Sequence, residues 1–266
     1  MKKLSVFAVA FAAIAFAACG GKQNAQNAEQ TESEKTFEQE QIEASIKMHF
    51  DSLASAVGQL KQLPFVQKDG GVSLTDEEKQ VKPDYLLDPA VAESAQTLAE
   101  KYRVLSALQV DKEVAKLYDM PLDDYDKAIT KLATDINDPS FKAIEGTSSV
   151  FETSQVLYDA MNENGRINYF WQLVATSLVE QLYVVSQNSE KFLASFDDDA
   201  ASNITFRIIL LQDAIDRLAE YDPEITPVAE AIKPLYVLNA TSVDELKAQL
   251  AQASEQIAAA REALTK

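Results

Sequence analysis

An all-α fold, an antiparallel multi-helix bundle, is what this sequence predicts, on three observations. Beyond residue 35 only five glycines occur, at 58, 70, 71, 146 and 165, too few for a protein of many strands and tight turns. Apolar residues recur at three- and four-residue spacing along almost the whole chain, the signature of amphipathic helices. Prolines and capping residues cut that pattern into pieces of helix length, and short connections favour antiparallel neighbours. The pieces number about eight to ten. They form one domain over 36–266, with 138–147 the place where it would divide. No internal repeat at solenoid periods is visible.

The first helix is expected over about 36–62, with the stripe Ile42, Ile46, Phe50, Leu53, Val57, Leu60, and Pro64 stops it. Residues 65–74 (FVQKDGGVSL) hold the one hairpin-like signal, an Asp69-Gly70 turn between β-prone runs; a plain loop is the competing reading. Asp88 caps a second helix with Pro89 at its first position, burying Val91, Ala95, Leu98, Tyr102 and Leu105. Shorter helices follow at about 111–119 and 122–136, separated by Pro121 and ended before Pro139. Thr147 or Ser148 starts the next, which closes at Asn164-Gly165, where glycine takes the left-handed cap. A sparsely charged helix spans 166–188, and another, 200–220, carries Ile204, Ile208, Leu211, Ile215 and Leu218. Thr226-Pro227 opens a helix that Pro234 kinks or divides. Ser242 and Glu245 form a capping box for a last helix with the stripe Val243, Leu246, Leu250, Ala253, Ile257, Ala260, Leu264.

Ahead of these helices lies a different kind of sequence. Lys2 and Lys3 precede an uncharged run, Leu4–Ala18, and then Cys19, the only cysteine. The run is too short to span a bilayer core, which needs about 20 apolar residues, but has the charged, apolar and small-residue regions of a secretory signal. Phe16-Ala17-Ala18-Cys19 resembles the lipobox of bacterial lipoprotein precursors, departing from it at Phe16, where leucine is usual. Over its first 35 or so residues the chain resembles outer-membrane lipoproteins of Bacteroidetes. That resemblance implies that residues 1–18 are removed and Cys19 is acylated. An ordinary signal cleaved after Ala15-Phe16-Ala17 is the alternative, leaving a free thiol. Gly20 and Gly21, with no aspartate beside the cysteine, imply sorting to the outer membrane. Lys22 comes first behind them and Glu29 is the nearest acid, which favours the periplasmic face over the cell surface. Residues 19–35 hold no large apolar side chain and are expected to be a disordered, lipidated tether, with an r.m.s. reach of roughly 20–25 Å.

Charge narrows the partners. Lys and Arg number 24 against 42 Asp and Glu, a net charge of −18, and losing Lys2 and Lys3 makes the mature chain about two units more negative. Nucleic acid is excluded as a partner, because binding it depends on basic residues at phosphates. Direct adsorption to anionic lipid is disfavoured for the same reason, so the membrane is reached through the lipid anchor only. With Cys19 as the anchor no disulfide can form.

Chemistry finds little foothold. His49, the sole histidine, lies at the edge of a buried stripe and has no Glu-x-x-His spacing, which excludes a di-iron carboxylate bundle and zinc sites of His and Cys. Asp197-Asp198-Asp199 and Asp123, Asp124, Asp126 lack the alternation, glycine and bidentate glutamate of a calcium loop; a helix cap accounts for the first cluster. No metal, cofactor or catalytic residue is therefore expected. One constellation remains for a ligand. Asn168, Gln172, Thr176 and Glu180, spaced by four, make one narrow polar line on a helix otherwise flanked by Ile167, Phe170, Trp171, Val174, Leu178, Val179, Leu182 and Val185. A solvent-facing seam is the first reading of that line, and a ligand groove with Tyr169, Trp171 and Tyr183 near it the second. The expected function is accordingly a non-enzymatic binding or interaction role, towards a protein or small molecule. A carboxylate-based hydrolase or lyase in a helical cleft, and a structural spacer, are the alternatives.

Overall fold

The computed structural model describes Val57 and residues 72–144, 153–220 and 222–266, all within one compact unit. These residues form an all-α multi-helix fold of ten helices, eight of them seven residues or longer, with no strand among them. Cys19, the tether, His49 and the first expected helix lie outside the described residues, save Val57, which is helical and buried. So does the ribbon expected over 65–74, except for Val72–Leu74, which carry no strand.

The chain enters through α1 (Asp76–Gln80), set by a Thr75–Glu78 capping box. Asp88 and Pro89 cap a helix as expected: Asp88 Oδ1 accepts from the Ala90 amide at 2.9 Å. That helix is only a 3-10 segment, Pro89–Glu93. A second capping box, Thr97 with Glu100, starts α2 (Leu98–Leu117) afresh. Glu100 Oε2 accepts from the amides of both Gln96 and Thr97, so the chain breaks between the two helices. Further along, α2 runs unbroken through the point where a separate helix at 111–119 was expected. Asp119, with φ 52°, turns the chain out of it.

α3 (Asp123–Ile136) ends on left-handed Asn137 (φ 49°), two residues before Pro139, and a 3-10 segment, Pro139–Ile144, follows. α4 (Ser154–Glu163) closes at Asn164-Gly165, where Gly165 takes φ 67°. α5 (Ile167–Gln187) matches its expected span, and 15 of its 21 residues are buried, which makes it the centre of the core. A short α6 (Ser189–Phe192) leads to α7 (Asp198–Ala219), capped by Asp197, the first residue of the aspartate cluster. Asp198 accepts instead from the Val243 amide at 2.9 Å. α8 (Thr226–Ile232) gives way to a 3-10 segment, Lys233–Val237, at Pro234.

The last expected helix is two. α9 (Val243–Gln252) and α10 (Ser254–Thr265) part at Ala253. Of the Ser242–Glu245 box only half forms: Ser242 Oγ caps the Glu245 amide, while the Glu245 carboxylate binds Thr241. Of the expected stripe Val243 is half-buried, and Leu246, Leu250, Ala253, Ile257, Ala260 and Leu264 are buried, against α5, α8 and α2 of the same chain.

α5 packs against α2, α4, α8, α9 and α10. Arg103 bonds Gln172, and Asp111 and Glu180 share the Arg261 guanidinium, both pairs offset by 69 residues. An equal offset at two points means that α2 and α5 run parallel. Arg103 also meets Leu264, and Asp111 meets Arg261, so α10 runs antiparallel to both. A parallel pair is open to α2 and α5 because α3 and α4 intervene in sequence.

Candidate functional site: a buried polar seam

The polar line of α5 does not face solvent. Gln172, Thr176 and Glu180 are at most 1% exposed, and only Asn168, at the helix start, is partly open. The solvent-facing seam expected of these residues is thus corrected. The reason is that α2 and α10 bring matching polar groups onto the line, which lets a helix with one acid be enclosed.

At one end Arg103 crosses from α2. Its Nη1 donates to Gln172 Oε1 at 2.8 Å and its Nε to the Leu264 carbonyl at 3.0 Å. Leu264 belongs to the last turn of α10, where carbonyls lack helical partners and the dipole favours a cation. Burial pulls the Arg103 guanidinium below its ordinary range. Ser106 adds a hydrogen bond from its hydroxyl to the Leu173 carbonyl, 2.7 Å.

Thr176 lies in the middle. Its hydroxyl is buried and meets no partner, and the same holds for Gln172 Nε2.

The other end holds the strongest electrostatics. Arg261, from α10, donates through Nε to Glu180 Oε2 at 2.9 Å. Its Nη2 stands 2.7 Å from Glu180 Oε1, at ion-pair distance but without hydrogen-bond alignment. The same Nη2 lies 3.4 Å from Asp111 Oδ2, which also accepts from the Leu87 amide at 2.7 Å. The guanidinium rests on the Tyr183 ring, 4.0 Å from its centroid, a cation–π contact. Tyr85 meets Tyr183 edge-on, and Tyr125 Oη donates to the Leu87 carbonyl at 3.0 Å. Burial, reinforced by the charge on Glu180, pushes the Asp111 carboxyl well up. Burial also raises Glu180, against the opposing pull of Arg261.

Of the aromatics expected near the line, only Tyr183 serves it. Trp171 points into the apolar core, edge-on to Phe170 and Tyr158. Tyr169 stacks on Tyr102 at 4.6 Å and, with Asn168, donates to Glu224 Oε2. Asp111, Arg103 and Arg261 were not anticipated. Their signal was Glu180 itself: the one charged residue of α5, buried, must meet a cation.

The seam can hold charge and protons in fixed places; it presents no accessible nucleophile. The aspartate clusters serve elsewhere, Asp124 pairing with Lys127 and Asp126 with Lys112. Among the described residues no group of three acids, cysteines or histidines is placed to hold a metal ion. No protein-family model, curated protein or solved structure matches this chain.

Proposed function

We propose that the chain is a lipoprotein held by acyl chains on Cys19 at the periplasmic face of the outer membrane, with a helical domain that binds a protein or small-molecule partner rather than transforming a substrate. The observation that carries this reading is the order of residues 2–21: two lysines, an uncharged run, Ala17-Ala18-Cys19, then two glycines. No helix among the described residues is long and apolar enough to cross a membrane.

Binding is favoured over catalysis by how the polar line is used. Gln172 and Glu180 are already engaged by Arg103 and Arg261, and a substrate reaching Asp111 and Glu180 would first have to displace the guanidinium from them. The surface offers apolar contact instead: Phe206 and Ile209, one turn apart on α7, are 54% and 43% exposed. Tyr236 reaches the same helix at Asp216, which its hydroxyl bonds.

Cys19→Ser decides the anchor. The variant is expected in the soluble envelope fraction, without incorporation of labelled fatty acid, while the wild-type chain sediments with outer membrane. A serine variant that still sediments with outer membrane would defeat the reading.

A further inference from the structure

Two buried carboxylates and one largely buried guanidinium meet in the joint between α2, α5 and α10, and their charges do not balance. The side chains of Asp111 and Glu180 are 0% and 1% exposed. Arg261 directs Nε and the nearer contact of Nη2 to Glu180, and only the 3.4 Å approach remains for Asp111. Leu87 N–H and Arg261 both address Asp111 Oδ2; Oδ1 is buried and meets no N–H group. What Asp111 shares with Glu180 is the guanidinium itself: Arg261 Nη2 stands 3.4 Å from Asp111 Oδ2 and 2.7 Å from Glu180 Oε1. Two ionised carboxylates at one guanidinium leave a buried negative charge uncompensated, and both are acceptors only; a proton on one removes the excess charge and supplies the missing donor.

We propose that Asp111 is held as the neutral acid and donates its proton from Oδ1 to Glu180, so that the neutral acid, the Glu180 carboxylate and the Arg261 guanidinium form a charge-balanced clasp fixing α10 to α2 and α5, which loosens when the proton leaves. The proton belongs to Asp111 rather than Glu180 because Arg261 stands 2.9 Å and 2.7 Å from the two Glu180 oxygens but only 3.4 Å from Asp111. The groups facing the clasp from the other elements are phenols: Tyr85 from the segment before α2, with Tyr118 behind it, Tyr125 from α3 and Tyr183 from α5. Burial keeps Tyr85 and Tyr125 neutral well above the usual range. The more distant acids Asp84 and Asp88 act on those phenols.

The sign follows from the direction of the Asp111 shift. An unfolded aspartate titrates near about 3.9, the folded one well above it. Between the two values the unfolded chain has released a proton that the folded chain keeps. Unfolding there releases that proton, and stability falls as pH rises. The contribution is whole below the unfolded value and lost above the folded one.

Calorimetric unfolding at pH 7, in buffers of different ionisation enthalpy, counts the protons released. The wild-type chain is expected to release about one more than Asp111→Asn. The amide still accepts from Leu87 N–H and supplies an N–H to Glu180, so this variant should keep the wild-type Tm to within a few degrees and lose the decline towards alkaline pH. In Glu180→Gln, Asp111 becomes the sole anion facing Arg261 and ionises; the extra proton should vanish while Tm falls. Infrared spectra add a direct readout. The carbonyl band of a buried carboxylic acid should be present in folded wild-type protein at pH 7 and absent from both variants. Equal proton release by the wild type and Asp111→Asn, or an acid band that is missing from the wild type or survives in Asp111→Asn, would overturn the proposal. Should Asp111→Asn fail to fold, the wild-type band and its loss on unfolding decide.

Discussion

Trp171 and Thr176, five residues apart on α5, are expected to respond to substitution in opposite directions. Trp171 is fully buried and edge-on to two other rings; truncation to alanine removes a large apolar surface and leaves a cavity, at a cost of about 3–5 kcal/mol. Thr176 is as deeply buried, yet its hydroxyl has no partner. Thr176→Val keeps the shape and removes an uncompensated polar group, and should stabilise by about 1 kcal/mol. Gln172→Ala belongs with the losses, since it deprives the buried Arg103 of its acceptor, at about 2–3 kcal/mol for a charge-assisted hydrogen bond. Urea unfolding of the three variants checks all of this, and a Thr176→Val protein weaker than wild type by 1 kcal/mol or more would show that the hydroxyl is bonded. At this scale the sequence was partly legible. Spacing by four placed Gln172, Thr176 and Glu180 on one line, but which face is enclosed depends on helices distant in sequence. Glu180 announced its need for a cation, and the chain has 24 Lys and Arg from which to choose.

Helix positions were more legible than helix ends. Periodicity located α5 to within a residue at each end, because its apolar run is long and flanked by Gly165 and Asn188. The break at Gln96 was missed although the signal was there: Thr97 and Glu100 are a capping box, as are Thr75 and Glu78, and the stronger-looking Asp88-Pro89 start concealed the competition. The break at Ala253 has no such signal, since neither glycine nor proline marks it and the stripe of α9 continues in α10. Two substitutions test the ends. Thr97→Ala removes the side-chain cap of α2 and should cost about 1 kcal/mol. Gly165→Ala should cost a similar amount, about 1 kcal/mol, through backbone strain alone, because φ is +67° and no atom lies within 4 Å of where a Cβ would stand. Gly165→Asn should recover much of that loss, asparagine tolerating the left-handed region; an asparagine variant no better than alanine would mean that the strain lies elsewhere.

For the molecule as a whole, the sequence established the class but not the arrangement. The parallel packing of α2 on α5 comes from side chains 69 residues apart, beyond anything that local spacing reports. Net charge, by contrast, is legible without a fold, and it sets the last expectation. At −18 the compact chain repels itself. Its surface ion pairs, Lys79–Asp119, Lys191–Glu78 and Lys247–Glu190, oppose that repulsion, yet exposed pairs are worth only about 0–1 kcal/mol each. The Arg261 clasp is enclosed and is screened far less than surface charge. Salt therefore acts mainly on the diffuse excess of acids. Raising NaCl from about 0.01 M to about 0.15 M shortens the screening length from roughly 30 Å to roughly 8 Å, which removes repulsion across the molecule and leaves the surface ion pairs, at 2.6–2.9 Å, largely intact. Tm should rise, by about 2–4 °C for each kcal/mol of repulsion relieved in a domain of this size. Thermal unfolding across that salt range measures it. A fall in Tm would mean that the surface pairs outweigh the excess negative charge, and that the acids are arranged among their cations more favourably than their number implies.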